Sequence, residues 1–194
     1  MIASPVFLKE SMNTLINNVR ILGQNFCFQT EDNLFSPKKL DEGTKFLLES
    51  VSLSKTVTTI LDYGCGWGAI GLVLAKINPN LQVVLVDDDP VAIKTVKANI
   101  ILNNIRNVRV IPTSALGEAI KFSAVFTNPP WHKNKTVIPA LIQKSFDLLE
   151  PSGSFYMVIS KQFNTQNLMQ RTFGNVATLA KNSSYKILCS QKKN

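Results

Sequence analysis

The stretch that decides the fold is residues 58–71, TTILDYGCGWGAIG. Its first four residues are β-branched or apolar, and Asp62 follows them. This pattern is typical of a short buried strand that ends in an acid. Glycines follow at alternate positions, and the apolar run Ala69–Ile77 then favours a helix. A strand, a glycine loop and a helix in this order predict one unit of a parallel sheet, with the loop at the carboxyl edge of the strand.

Strands and helices alternate through the rest of the chain. Pro90 follows Asp89, and this pair suits the cap and first residue of a helix that continues to about Leu102. Because strands joined by helices need crossover connections, the predicted fold is α/β: a doubly wound, mostly parallel seven-stranded sheet with helices on both faces. The predicted strands are Thr58–Asp62, Gln82–Val86, Val108–Ile111, Phe122–Thr127, Phe155–Ser160, Val176–Ala180 and Tyr185–Cys189, and the predicted helices are Leu40–Val51, Ala69–Ile77, Pro90–Leu102, Val137–Leu149 and 165–173.

The residues before this alternation are predicted to form an extension, 1–35, that packs on the main domain, 36–194. A helix is expected over 7–19, followed by a short strand at Phe26–Phe28. The helix prediction rests on apolar residues at helical spacing, namely Leu8, Met12, Leu15, Ile16 and Val19.

Composition indicates an ordinary globular protein. The 194 residues are 45% hydrophobic and 18% charged, which suits one domain with its own core. No apolar run reaches the roughly 18–20 residues that span a bilayer, so no membrane association is expected. Met1–Pro5 does not begin a basic stretch followed by a long apolar one. A secretory signal is therefore not expected, and the expected location is the cytoplasm.

The charge and the cysteine content of the chain indicate which macromolecules or metals it is expected to bind. The formal charge of +8 favours a polyanion, although charge alone does not identify one. Cys27, Cys65 and Cys189 are far apart in the sequence, and His132 is the one histidine. This set contains neither a disulfide framework nor the ligand spacing of a zinc site, so reduced thiols and no bound metal are expected.

The glycine loop has the features of a cofactor site. Glycines let the backbone turn sharply and approach a ligand, and Asp87, at the end of the next strand, can accept from both hydroxyls of a ribose. Gly64, Gly66 and Ala69 also satisfy the dinucleotide fingerprint, so these positions leave a dinucleotide open. Two further residues favour S-adenosylmethionine. Gly68 gives a GxGxG spacing, and the Asp62 carboxylate would repel a pyrophosphate but suits the ammonium of a methionine moiety.

The predicted reaction centre is Asn128-Pro129-Pro130-Trp131, directly after a strand. An exocyclic base amine is a poor nucleophile because its lone pair is delocalised. The Asn128 side-chain oxygen and the Pro129 carbonyl can accept from its N–H groups, and prolines hold the backbone that aims these acceptors. Trp131 offers a face on which a flat substrate can stack. Lys133 and Lys135 follow closely enough to contact phosphate, whereas His132 fits a phosphate contact and a structural role equally well.

With these motifs the chain resembles the class I S-adenosylmethionine-dependent methyltransferases of the small-domain group. Within that group it is similar to the ribosomal RNA guanine-N2 methyltransferases, from about Phe26 to the C-terminus. The resemblance is carried by Phe35-Ser36, Leu40–Thr44, Leu61–Gly68, Asp87, Ala92, Ala98-Asn99, Asn128–His132 and Phe173-Gly174.

The resemblance implies a Rossmann-like methyltransferase domain over 36–194 and N-methylation of RNA, most directly at guanine N2 of ribosomal RNA. Cofactor contacts are implied for Phe35, Thr44, Asp62, Gly64, Cys65, Gly66, Gly68, Asp87, Asp88, Ser114 and Asn128. Contacts with the target base are implied for Asn128, Pro129, Pro130 and Trp131, and contacts with the surrounding RNA for His132, Lys133 and Lys135.

Three other functions fit parts of the same pattern. Methylation of a protein glutamine amide can use an Asn-Pro-Pro-aromatic arrangement, although Trp131-His132 and the basic charge favour RNA. An RNA-binding or assembly module without turnover would explain Ser114-Ala115, where many relatives carry an acid. Nicotinamide-dependent reduction is the weakest alternative, because no residues arranged for hydride transfer are recognisable.

Overall fold

The computed structural model describes residues 14–117, 119–129 and 137–193. Within these residues the chain forms nine strands and five α-helices. In chain order they are β1 Thr14–Ile21, β2 Gln24–Glu31, α1 Glu42–Ser50, β3 Thr59–Tyr63, α2 Ala69–Ile77, β4 Gln82–Asp87, α3 Pro90–Leu102, β5 Val108–Pro112, β6 Phe122–Thr127, α4 Val137–Leu148, β7 Leu149–Ser160, α5 Gln166–Phe173, β8 Ala177–Lys181 and β9 Tyr185–Gln191.

Strands β3 to β9 form the predicted seven-stranded sheet, in the order β5-β4-β3-β6-β7-β9-β8. Neighbours from β5 to β7 are parallel, whereas β9 is antiparallel to both β7 and β8. The strand order reverses between β3 and β6, because β4 and β5 extend to one side of β3 and β6 and β7 to the other. A crevice for ligands is expected at this reversal, beyond the carboxyl ends of the strands.

The helices cover both faces of the sheet, as predicted. Consecutive residues of a strand face opposite sides, so Ile60 packs with α1, α2 and α3 while Leu61 packs with α4 and α5. Both side chains are fully buried, as expected for a strand that helices cover on both faces. None of the described helices has the length and apolar character that crossing a bilayer requires.

The extension differs from its prediction. The helix expected over 7–19 is wrong for residues 14–19, which lie in β1; residues 7–13 lie outside the described part of the chain. Burial along β1 alternates, with Leu15 and Val19 partly buried and Ile16 57% exposed. Leu15 and Val19 are four residues apart, so they satisfy both a strand and a helix pattern, and Ile16 was wrongly counted on the buried side.

Strands β1 and β2 form an antiparallel hairpin that packs on α3. Leu22 and Gly23 connect them with φ values of 48° and 77°, the two positive angles of a tight hairpin turn. The strand predicted at Phe26–Phe28 is confirmed, since both phenylalanines lie in β2 and are buried. The boundary at residue 35 between extension and main domain stays a prediction.

Candidate active site

A cavity of about 270 Å³ opens at the carboxyl edge of the sheet, where the strand order reverses. Its walls come from the loop after β3, the end of β4, the first turns of α1, α2 and α3, and the segment before α1. Seven residues that the sequence predicts as site residues line this cavity, namely Phe35, Thr44, Gly64, Cys65, Gly66, Asp87 and Asn128.

The glycine loop presents open backbone to the cavity. Gly64, Gly66 and Gly68 have φ values of 75°, 55° and 91°, which side chains other than glycine rarely adopt. A Cβ atom at Gly64 or Gly66 would meet nothing within 4 Å, so a ligand can approach the backbone there. At Gly68 a Cβ would lie 3.0 Å from Leu72 Cδ1, so this glycine allows close packing at the start of α2.

Asp87 is held in place by two backbone amides. Its Oδ2 accepts from Gly66 N at 2.8 Å, and its Oδ1 accepts from Asp89 N at 3.0 Å. An ionised carboxylate can accept about four hydrogen bonds, so two acceptor positions remain for a ligand. The side chain is thus a preorganised acceptor at the cavity wall.

The two other predicted residues on this side lie elsewhere. Asp88 is exposed and lines a neighbouring cavity of about 570 Å³ with Tyr63, Thr113 and one face of α4. Ser114 is exposed in the short 3-10 turn Thr113–Ala115 and lines neither cavity. Gly64 and Asp87 line both cavities, so Asp88 lies next to the glycine loop, whereas Ser114 does not line either cavity.

Asp62 lies beneath the glycine loop and does not line the cavity. It is 1% exposed; its Oδ2 accepts from Gly71 N at 2.8 Å, and its Oδ1 has no hydrogen-bond partner among the described residues. Burial raises the pKa of this carboxyl to about 7, and the charge of Asp87 adds to the increase. Burial also raises the pKa of the Cys65 thiol, which is therefore neutral and no nucleophile.

The orientation of the Asn128 amide is fixed by two acceptors. Its Nδ2 donates to Asp41 Oδ2 and to Thr44 Oγ1, both at 2.8 Å. A carboxylate can only accept, so the amide atom that faces Asp41 must be the nitrogen. Both N–H groups are thereby used, and the side-chain oxygen is left to accept from a ligand. The same Asp41 Oδ2 caps α1 by accepting from Thr44 N at 2.8 Å.

Several residues of the predicted reaction centre and the stretch after it fall outside the described part of the chain. Pro129 is described and is buried directly after Asn128. Pro130, Trp131, His132, Lys133 and Lys135 are not described, so their predicted roles stay predictions.

Two residues that the sequence did not predict hold the site together. Asp41 could have been recognised as a helix cap, but its contact with Asn128 joins residues 87 positions apart. Trp67 is buried, and its Nε1 donates to the Phe35 carbonyl at 3.0 Å. This bond ties the glycine loop to the segment before α1, and its only sequence signal is an aromatic residue inside a glycine loop.

Comparison with known protein families gives a match over most of the chain. The model of the methyltransferase small domain matches residues 25–189. YbxB of Bacillus subtilis (strain 168), an uncharacterized protein, is 30% identical over 179 residues, which are 89% of this chain and 89% of YbxB. Ribosomal RNA small subunit methyltransferase C of Shewanella amazonensis is 29% identical over 165 residues, which are 82% of this chain and 48% of that protein.

A solved structure of a ribosomal RNA methyltransferase also matches this chain. The 16S rRNA N2 methyltransferase RsmC of T. thermophilus, in complex with AdoMet and guanosine, matches with a TM-score of 0.85 and 28% identity. The match covers 94% of this chain and 52% of that chain, and it confirms the predicted Rossmann-like methyltransferase fold. The chain therefore spans about half the length of these two ribosomal RNA methyltransferases.

Proposed function

Since this chain belongs to the methyltransferase small domain family and its cofactor is S-adenosylmethionine, we propose that it methylates an exocyclic amine of a nucleobase in RNA, with guanine N2 of ribosomal RNA as the first candidate. The observation that carries this proposal is the fixed amide of Asn128, whose free oxygen lies at the cavity beside the glycine loop. RNA is favoured by the formal charge of +8 and by the similarity to RsmC, a 16S rRNA methyltransferase.

The cavity fits the cofactor at two points. The open backbone at Gly64 and Gly66 would hold the methionine part, and the two remaining acceptor positions of Asp87 would hold the ribose hydroxyls. Asp62 lies beneath the loop and does not line the cavity, so its role toward the methionine ammonium remains a proposal from resemblance. We assign Phe35 and Thr44 to the cavity wall on the same grounds, while roles for Cys65, Gly68, Asp88 and Ser114 remain proposals from resemblance.

Catalysis would be mostly positioning. S-adenosylmethionine supplies a methyl group bonded to a positively charged sulfur. The Asn128 oxygen and the Pro129 carbonyl would accept the two N–H groups of the amine and favour a pyramidal nitrogen, which frees its lone pair for attack. The new N–C bond replaces the S–C bond, and the nitrogen then releases a proton to solvent. No strong base is needed, and none of the described cavity residues is a histidine or a lysine.

A glutamine side chain in a protein is the second candidate substrate. Its amide also carries an NH₂ group on a planar carbon, so the acceptors at Asn128 and Pro129 would hold it equally well. A module that binds RNA without turnover is disfavoured. A non-catalytic protein would need neither the fixed amide of Asn128 nor its position at the cofactor cavity.

Methyl transfer from labelled cofactor separates these possibilities. The full chain is incubated with labelled S-adenosylmethionine and ribosomes from cells that lack its gene, and the product is digested with RNase or with protease. We expect label that RNase releases, and a loss of about 100-fold or more in rate for Asn128→Ala. Calorimetry serves as the control, because the variant should still bind S-adenosylmethionine. Label that only protease releases, or an Asn128→Ala rate equal to wild type, would overturn the proposal.

A further inference from the structure

A second cavity, of about 350 Å³, lies at the carboxyl end of β7, between the first turn of α4 and the start of α5. Its apolar wall comes from Ile138, Pro139, Phe163 and Leu168. Its polar wall comes from three residues between β7 and α5, namely Gln162, Asn164 and Thr165. The cavity therefore combines flat apolar surface with amide and hydroxyl groups, a lining that suits a planar polar ligand.

The position of this cavity follows from the strand order. Asn128 follows β6, the cofactor cavity lies on the β3 and β4 side, and β7 is the next strand on the other side. Thr127 and Met157 are partners between β6 and β7, and neighbouring strands are about 5 Å apart. A substrate chain that places one group at Asn128 can therefore reach the second cavity with an adjacent group.

The polar wall carries unused hydrogen-bonding capacity. Thr165 is 8% exposed, and its hydroxyl has no hydrogen-bond partner among the described residues. It stands at the N-cap of α5, yet its side chain caps no backbone amide. Gln162 and Asn164 are exposed, and their side-chain amides make no hydrogen bond to the described part of the chain. A buried hydroxyl without a partner is unfavourable, and a ligand in this cavity would supply one.

The surroundings of the cavity are positively charged. The last acid of the sequence is Glu150, and residues 151–194 carry no Asp or Glu but six basic residues. Lys161 directly follows β7 and precedes Gln162 of the cavity wall, and Lys186 Nζ lies 3.5 Å from Oε1 of Gln166, the first residue of α5. None of the described lining residues has a charged side chain. A ligand that places a neutral ring inside and a negative group at the rim matches this distribution.

We propose that this cavity holds the base of the nucleotide next to the target in the RNA strand. Phe163 and Pro139 supply surface for the base, Thr165 and Asn164 supply donors and acceptors for its edge, and Lys161 contacts its phosphate. The inference rests on the proposed RNA substrate and adds to it a flanking-nucleotide site. Binding there would also help to keep the target base out of its stack and near Asn128.

Cross-linking tests the position of the flanking nucleotide. Two single-stranded RNA heptamers of uridine with a central guanosine carry 4-thiouridine on the 5′ or the 3′ side of that guanosine. Each is irradiated with the full chain and S-adenosylhomocysteine, and the protein is digested with trypsin. Cleavage after Lys161 and Arg171 isolates the peptide 162–171, which contains the whole polar wall. We expect one of the two probes to cross-link to this peptide, and cross-links only to other peptides would contradict the proposal.

Binding of the same heptamer tests the side chains. Thr165→Val removes an unpartnered hydroxyl and Asn164→Ala an exposed amide, so neither variant should lose thermal stability. Each should weaken heptamer binding about fivefold, with S-adenosylmethionine binding unchanged. Asn80→Ala is the matched control, because Asn80 is an exposed amide before β4, at the opposite edge of the sheet.

The outcomes separate this inference from the proposed function. If wild type methylates ribosomal RNA but binds the heptamer no better than the variants do, or does not bind it, the flanking site is overturned and the proposed function stands. If wild type methylates protein only, both are overturned. A glutamine-containing peptide that competes with the heptamer for the site would likewise count against RNA as its occupant.

Discussion

The amide of Asn128 shows how single residues determine what this site can do. Its two N–H groups donate to Asp41 Oδ2 and Thr44 Oγ1, so only its oxygen can face a substrate amine. Asn128 was identified from its place after a strand, within an Asn-Pro-Pro motif. Asp41 was missed because a contact between residues so distant in sequence leaves no local pattern.

Removing one of these acceptors should slow turnover without abolishing cofactor binding. Thr44→Val keeps the shape of the side chain but removes Oγ1, so the Asn128 amide is held by Asp41 alone and is oriented less strictly. A hydrogen bond of about 1–1.5 kcal/mol corresponds to a roughly tenfold lower kcat. Thr44→Ser keeps the hydroxyl and should retain a kcat near that of wild type. Equal kcat values for the two variants in a methyl-transfer assay would show that Thr44 does not orient Asn128.

Asp62 should give the protein a characteristic pH dependence. Its pKa is raised from 3.8 to about 7, so between about pH 4 and pH 7 the folded chain binds more protons than the unfolded chain. The stabilisation from this carboxyl is therefore full below about pH 4 and is lost as the pH rises to about 7. Asp62→Asn stays neutral, so its free energy of unfolding should rise relative to that of wild type over this range.

Urea denaturation of both proteins without cofactor, at several pH values from 4 to 8, measures this difference. Asp147→Asn, at an exposed aspartate, is the control and should follow wild type. A constant difference between Asp62→Asn and wild type across the range would rule out a titrating Asp62.

At the scale of elements, α3 holds β2 through two asparagines one turn apart. Asn99 accepts from Gln29 N at 2.7 Å and donates to Gln29 O at 2.9 Å, and Asn103 makes the same pair of bonds with Cys27. The side-chain amides thus replace a neighbouring strand along this edge of β2. Asn99 Nδ2 also donates to Trp67 O at 2.9 Å, which connects the hairpin to the glycine loop.

Loss of the Asn99 amide should destabilise the fold. Asn99→Ala leaves three backbone groups without partners, one buried and two partly buried, at a cost of about 3 kcal/mol, or roughly 6–12 °C in Tm for a chain of this size. Asn104→Gly, at an exposed residue with φ of 51°, is the control and should not lower the Tm. Calorimetric unfolding of both variants measures the effect, and an Asn99→Ala Tm within 2 °C of wild type would contradict this role.

The same comparison of elements shows what the sequence can and cannot predict. Helices α2 and α3 were predicted with their observed bounds, because Asn78-Pro79 ends the first and Asp89-Pro90 begins the second. The hairpin was not, because its turn at Leu22-Gly23 lacks the usual Asn-Gly or Asp-Gly signal. The clamp by Asn99 and Asn103 was also unpredictable, since asparagines in a helix usually contact solvent.

Across the whole molecule, the position of the net positive charge depends more on where acidic residues are missing than on where basic residues lie. Basic residues are spread along the sequence, but the last acid is Glu150. Residues 151–194 therefore contribute +6 of the formal charge of +8. These residues include the end of β7 and all of β9, beyond Asn128 on the side away from the cofactor cavity. RNA phosphates are expected along this side.

Salt dependence of RNA binding should reflect this charge. On a plot of log affinity against log salt concentration, Lys161→Ala should reduce the slope by about one unit, because one phosphate contact is lost. Lys97→Ala removes the same charge from an exposed position on α3 and should leave the slope unchanged. Equal slopes for the two variants, measured by fluorescence anisotropy with labelled RNA, would contradict a phosphate contact at Lys161.

The most direct test of the central claim is a map of modified nucleosides in ribosomal RNA. Mass spectrometry would compare cells with the gene, cells without it, and cells without it that express either wild type or Asn128→Ala. The account predicts that one N2-methylguanosine disappears with the gene and returns with wild type but not with Asn128→Ala. An unchanged map in cells that lack the gene would contradict it.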